Sequence, residues 1–178
     1  KLWLMQTNIN EDFQKGLNFH QNGNLDQAEI KYKNVLSVNS NHFDSLHLLG
    51  VINSQKGDYG RAASLIKKAI NFNQSNPMAY YNLAIIYKKM KKYEDAINYC
   101  NKAISLNNNY LDAINIKGQI LTDIEEYEEA EIFFKKLIKL NPSFYDAYYN
   151  LGILYNKQNK IKLSINSYKK TIDLKPDF

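Results

Sequence analysis

Residues 77–110, PMAYYNLAIIYKKMKKYEDAINYCNKAISLNNNY, hold the pattern that decides the fold. Apolar residues recur at spacings of three, four and seven in each half of this stretch, which is the helical period and not the strand period. The two halves meet in a short polar turn, and small residues stand at Ala84, Ala96 and Ala103. The reading is two amphipathic helices folded against each other.

Moving the window by 34 residues in either direction gives the same pattern again. Counting from Ile9, the units are 9–42, 43–76, 77–110, 111–144 and 145–178, with residues 1–8 as a leader of native or vector origin or the tail of a preceding helix. Position 8 of the unit is small throughout (Gly16, Gly50, Ala84, Gly118, Gly152), and so is position 20 (Ala28, Ala62, Ala96, Ala130, Ser164). Twelve residues apart, these sites fall on different helices of one unit and allow their backbones to approach closely. Position 17 is bulky (Leu25, Tyr59, Tyr93, Tyr127, Ile161), as is position 28 (Leu36, Ile70, Ile104, Ile138, Ile172). Gly23 and Gly57 sit where first helices end and suit a left-handed cap, and Lys91, Glu125 and Asn159 take the same place in later units. Pro77 opens a first helix, while Pro142 and Pro176 stop second helices.

This 34-residue pattern resembles the tetratricopeptide repeat family over residues 9–178. The resemblance implies an all-α fold, a right-handed α-solenoid or superhelix of five helix-turn-helix units, with first helices lining a concave groove. Two departures from the pattern, Asn53 at position 11 and the missing Pro at position 32 of the first three units, predict local loosening. Units of this kind bury their apolar faces only by stacking. A weaker resemblance, carried by residues 42–70, is to bacterial repeat proteins related to O-linked N-acetylglucosamine transferase.

Composition narrows the function. With 44% hydrophobic residues, seven Gly and three Pro, the chain is neither disordered nor collagen-like. No apolar run approaches the roughly 18 residues of a membrane helix. The net charge of +5 comes from 22 Lys and one Arg, a balance that argues against base-specific nucleic-acid reading, which relies on arginine forks. The 24 Asn residues reflect an apparent A/T-rich coding bias. A single Cys100 suits a reducing compartment, and the expected location is cytoplasmic.

Catalytic chemistry has little to stand on. His42 and His47 are not at chelating spacing, and no third ligand accompanies His20 and His47, so no metal and no cofactor is expected. Cys100 falls at a core position. The acidic run Asp123–Glu131 complements the dipole of the second helix of its unit. There is no phosphate loop and no catalytic residue to name.

The resemblance instead puts positions 2, 5, 6, 9, 12 and 13 of the first helices on the concave side. The peptide-binding groove implied is Phe13, Leu17, His47, Val51, Met78, Tyr81, Asn82, Ile85, Lys88, Asn115, Gln119, Tyr149, Asn150 and Ile153. Aromatic and aliphatic side chains there supply contact area, and Asn82 and Asn150 are expected to bond a ligand backbone. Leu17, Val51, Ile85 and Ile153 equally suit packing between first helices. The family's carboxylate clamp for chaperone tails is absent: each of the three registers, such as Phe13, Leu17, Leu48, Met78 and Asn82, lacks the required Lys and Asn set.

The expected function is a non-catalytic scaffold that binds a protein, as a peptide or a helical segment, in its groove. The alternative is the substrate-recognition region of a larger transferase with its catalytic domain outside this chain. Neither reading involves membrane insertion. The fifth unit shows no polar capping helix after it, so the expectation is either an excerpt of a longer chain or an end-to-end partner, a second copy included, covering Ile165, Tyr168 and Ile172.

Overall fold

The computed structural model describes residues 2–177, with side chains from Ile9 onward. The leader expected over residues 1–8 therefore lies outside the described side chains, although the backbone from Leu2 belongs to the first helix. Among the described residues there are ten helices and no strand: α1 (Leu2–Gln21), α2 (Leu25–Val38), α3 (Phe43–Gln55), α4 (Tyr59–Ile70), α5 (Pro77–Lys89), α6 (Tyr93–Leu106), α7 (Leu111–Asp123), α8 (Tyr127–Leu140), α9 (Tyr145–Lys157) and α10 (Ile161–Leu174). The fold class is all-α, a solenoid of helical repeats.

The turns follow from the residues at them. Gly23 and Gly57 adopt φ of 73° and 84°, where glycine has no Cβ penalty. Lys91, Glu125 and Asn159 occupy the equivalent places at φ of 58°, 68° and 58° and so accept a left-handed backbone that costs a side-chain-bearing residue free energy. N-caps divide along the chain. Asn24, His42, Asp58 and Asn76 each accept a backbone N–H of the helix that follows them. The residues preceding α6 to α10 (Lys92, Tyr110, Glu126, Phe144 and Lys160) make no such side-chain cap.

The helices form two compact units, α1 to α5 and α6 to α10. In the first, α1 packs on α2 and α3 on α4, while α3 also meets α2, and α5 meets α3 and α4. Its core gathers Ala28, Tyr32, Leu49 and Ile52, flanked by Phe13, Phe19, Leu36 and Leu65. In the second, α7 packs on α8 and α9 on α10, around Ile114, Phe134, Leu137, Leu151 and Leu154, with Ile97, Ile104 and Ile138 against the cluster.

The small positions are small for a measurable reason. A Cβ added at Gly16 would stand 2.7 Å from Tyr32, at Gly50 2.5 Å from Ile66, and at Gly118 2.6 Å from Phe134. Gly152 abuts Tyr168 in the same way. Each glycine thus admits the bulky side chain that fills the hairpin. Asn53, expected to loosen its helix, does not interrupt α3: its buried Nδ2 donates to the Leu49 carbonyl at 2.7 Å, so the amide is satisfied within the helix. Cys100 is fully buried. On α10, Ile161, Leu163, Ile165 and Ile172 are exposed, Ile172 by 54%, at the position where Ile104 and Ile138 are packed.

Candidate functional site

The first helices α3 and α5 bring together residues 35 apart in sequence. Asn82 Nδ2 donates to His47 Nε2 at 2.7 Å, which requires a neutral imidazole with its proton on Nδ1. His47 is only 5% exposed and stacks on Phe43 with ring centroids 5.6 Å apart. Burial pushes its pKa down, against a smaller opposite pull from Asp44. In the second unit, α7 and α9 repeat the arrangement: Asn150 Nδ2 donates to Asn115 Oδ1 at 2.8 Å, with Asn115 8% and Asn150 7% exposed. Both pairs join position 5 of one repeat to position 6 of the next. Sequence reasoning assigned these amides to a ligand; the structure engages each in a bond between repeats.

A cleft of about 180 Å³ opens beside the His47–Asn82 pair. Val51, Ser54 and Gln55 of α3, Ile66 of α4, and Asn82, Ile85 and Ile86 of α5 line it. Three of the expected groove residues, Val51, Asn82 and Ile85, therefore meet at one place. Ser54 and Gln55 were not singled out, although they stand at positions 12 and 13, which the repeat pattern puts on the same side. Ile66 and Ile86 are both buried. The lining carries no formal charge.

The remaining expected site residues divide by surroundings. Phe13 packs against the first core, 5.9 Å from the Tyr32 ring and 5.1 Å from the His42 ring. Leu17, Tyr81, Lys88, Gln119 and Ile153 are half-buried, and Met78 is 53% exposed. Tyr149 leans on Tyr168 of α10, with ring centroids 5.9 Å apart. His20 turns toward Tyr32, its Nδ1 3.5 Å from the hydroxyl. Among the described residues, no three of His, Cys, Asp and Glu gather as a metal site would require. Lys68, Lys135, Lys136, Lys169 and Lys170 are exposed on the second helices α4, α8 and α10.

Comparison with known proteins places this architecture. Residues 17–123 match a family profile described as tetratricopeptide repeat protein 21 C-terminal ARM domain, and residues 111–144 and 145–178 each match a tetratricopeptide repeat profile. The chain belongs to the tetratricopeptide repeat family. No curated protein matches it in sequence. Among solved structures of this repeat fold, a crystal structure of MamA is 26% identical at a TM-score of 0.79, covering 90% of this chain and 94% of that one. YrrB, described as a TPR protein with an unusual peptide-binding site, is 23% identical at a TM-score of 0.73, covering 93% and 86% of the two chains. MamA from Desulfovibrio magneticus RS-1 reaches a TM-score of 0.84 at 18% identity, covering 95% and 96%. At these last two identities the likeness is one of fold. Among the described residues, no helix of this tetratricopeptide repeat chain is long and apolar enough to cross a membrane.

Proposed function

We propose that the chain is a non-catalytic interaction module that holds an extended segment of a partner protein against its first helices. The observation that carries this reading is the α3–α5 cleft, apolar at its base and rimmed by uncharged hydrogen-bonding side chains. Such a surface offers contact area and backbone recognition, and its lining holds no carboxylate, imidazole, thiol or ammonium group. The peptide site ascribed to YrrB supports the reading by analogy of fold. The commitment of Asn82 and Asn150 to His47 and Asn115 favours a scaffold over a transferase arm, which would need an uncommitted asparagine ladder for substrate backbone.

The test is affinity capture by the purified chain, compared between wild type and a Tyr81→Ala/Tyr149→Ala variant. Lys68→Ala/Lys136→Ala, on the exposed second-helix surface, serves as control. The captured proteins should be lost with the tyrosine pair and retained with the lysine pair, while helical circular dichroism stays unchanged in both. Capture that survives loss of both tyrosines would take them out of the binding surface, and capture that also survives Val51→Phe in the α3–α5 cleft would move the site away from the first helices.

A further inference from the structure

The dimensions and lining of the α3–α5 cleft narrow what a bound peptide carries there, an inference that rests on the peptide-binding reading above. At about 180 Å³ the cleft falls below the roughly 300 Å³ at which small-molecule sites begin. It accommodates one side chain and not a cofactor-sized group. Its base is fully buried Ile66 with Ile86, and its walls are half-buried Val51 and Ile85. Placing an ionised group among these side chains would strip it of water with no counter-charge in the lining, so the guest side chain is apolar.

Charge then gives the peptide a direction. Lys88 and Lys89 follow Ile85 by three and four residues, a spacing that puts them on the same face of α5 one turn further along. Ser54 and Gln55, their counterparts on α3, are neutral. One helical turn advances about 5.4 Å and an extended chain about 3.3 Å per residue, so the lysines stand roughly two peptide residues from the anchor.

We propose that the α3–α5 cleft is an anchor subsite for one branched aliphatic side chain of an extended partner segment, and that Lys88 and Lys89 select an acidic residue about two positions from that anchor.

The experiment is selection of random peptides displayed on phage against the purified full chain, followed by binding measurements on synthetic copies of the enriched peptides. The expected motif is Val, Ile or Leu with Asp or Glu about two residues away. Val51→Phe, which fills the cleft, should weaken the enriched peptide by about tenfold or more, the loss of most of one buried aliphatic side chain. Should that variant not fold, Ser54→Trp closes the same cleft from a half-exposed rim position. Selection on Lys88→Glu/Lys89→Glu should replace the acidic residue by Lys or Arg. Enriched peptides that bind the filled cleft as well as the open one, or whose flanking charge ignores the reversal, sink this inference and leave peptide binding standing. Failure to enrich any sequence removes the peptide-binding reading and the anchor subsite with it.

Discussion

Replacing Asn115 by Leu separates an amide that holds repeats together from one that reads a ligand. Asn115 and Asn150 are 8% and 7% exposed, and their bond is 2.8 Å long. Removing one partner leaves the other amide in a dry contact, at a cost of about 1–3 kcal/mol. For a chain of this size each kcal/mol moves the melting temperature by roughly 2–4 °C, so Asn115→Leu or Asn150→Leu should melt about 2–12 °C lower. The double variant removes both polar groups and lets two apolar side chains meet, which is nearly neutral. The same two positions carry Phe13 and Leu48 in the first two repeats, so the fold already uses an apolar solution there. Differential scanning calorimetry of the four proteins closes a double-mutant cycle with a coupling of about 1 kcal/mol or more. A double variant as unstable as the sum of the singles, or singles that melt like wild type, would refute an inter-repeat role for this bond.

Two further outcomes follow from single positions. Gly118→Ala drives a Cβ to 2.6 Å from fully buried Phe134 and should destabilise by roughly 1–3 kcal/mol of overpacking, less about 1 kcal/mol of helix propensity; Gly60→Ala, whose nearest neighbour is 3.9 Å away, should be neutral or stabilising, and urea midpoints that rank the two the other way would contradict the hairpin packing. His47 is held below its ordinary pKa of 6.5 by burial, so the unfolded chain binds the extra proton first and stability should begin to fall as pH drops through about 6.5, a slope that His47→Gln flattens; Glu29, lowered to about 2 by hydrogen bonds from Lys33 and Lys56, loses its contribution only below about 4.5, so the His47 loss sets in first in a pH series of thermal melts.

The repeat was legible because close packing leaves no freedom in the residues that permit it. Gly16, Gly50 and Gly118 stand against Tyr32, Ile66 and Phe134, and a side chain on any of them would collide, so small residues recur where the hairpins close. Turn positions were legible for a related reason: the backbone at 23, 57, 91, 125 and 159 is left-handed whatever residue supplies it. The site was less legible because a first-helix residue has two possible audiences, a neighbouring repeat or a ligand. Val51 and Ile85 line a cleft, whereas Asn115 and Asn150, at groove positions by the same rule, face one another. A single sequence position does not carry that distinction; the pair does. At three of the four junctions polarity at position 5 matches polarity at position 6 of the following repeat (Phe13 with Leu48, His47 with Asn82, Asn115 with Asn150), and Tyr81 with Ile116 is the exception. Asn53 misled for the opposite reason, since its partner is its own helix backbone four residues back.

Matched pairs of this kind also bear on how a chain of near-identical units stacks in the right order. Apolar faces alone are interchangeable, and a helix pair packed against the wrong neighbour would bury almost as much surface. The amide pairs are not interchangeable. Setting Asn150 opposite Phe13, or Leu48 opposite His47, strands a buried polar group at about 1–3 kcal/mol, as a single polar residue in a coiled-coil core fixes register. The Asn115→Leu/Asn150→Leu protein should therefore keep near-normal stability and lose fidelity. After dilution from urea it should give a lower yield of native monomer than wild type, with the deficit appearing as misassembled or aggregated chain by size-exclusion chromatography. Refolding yields that match wild type at equal stability would confine the amide pairs to the energetics of the finished fold.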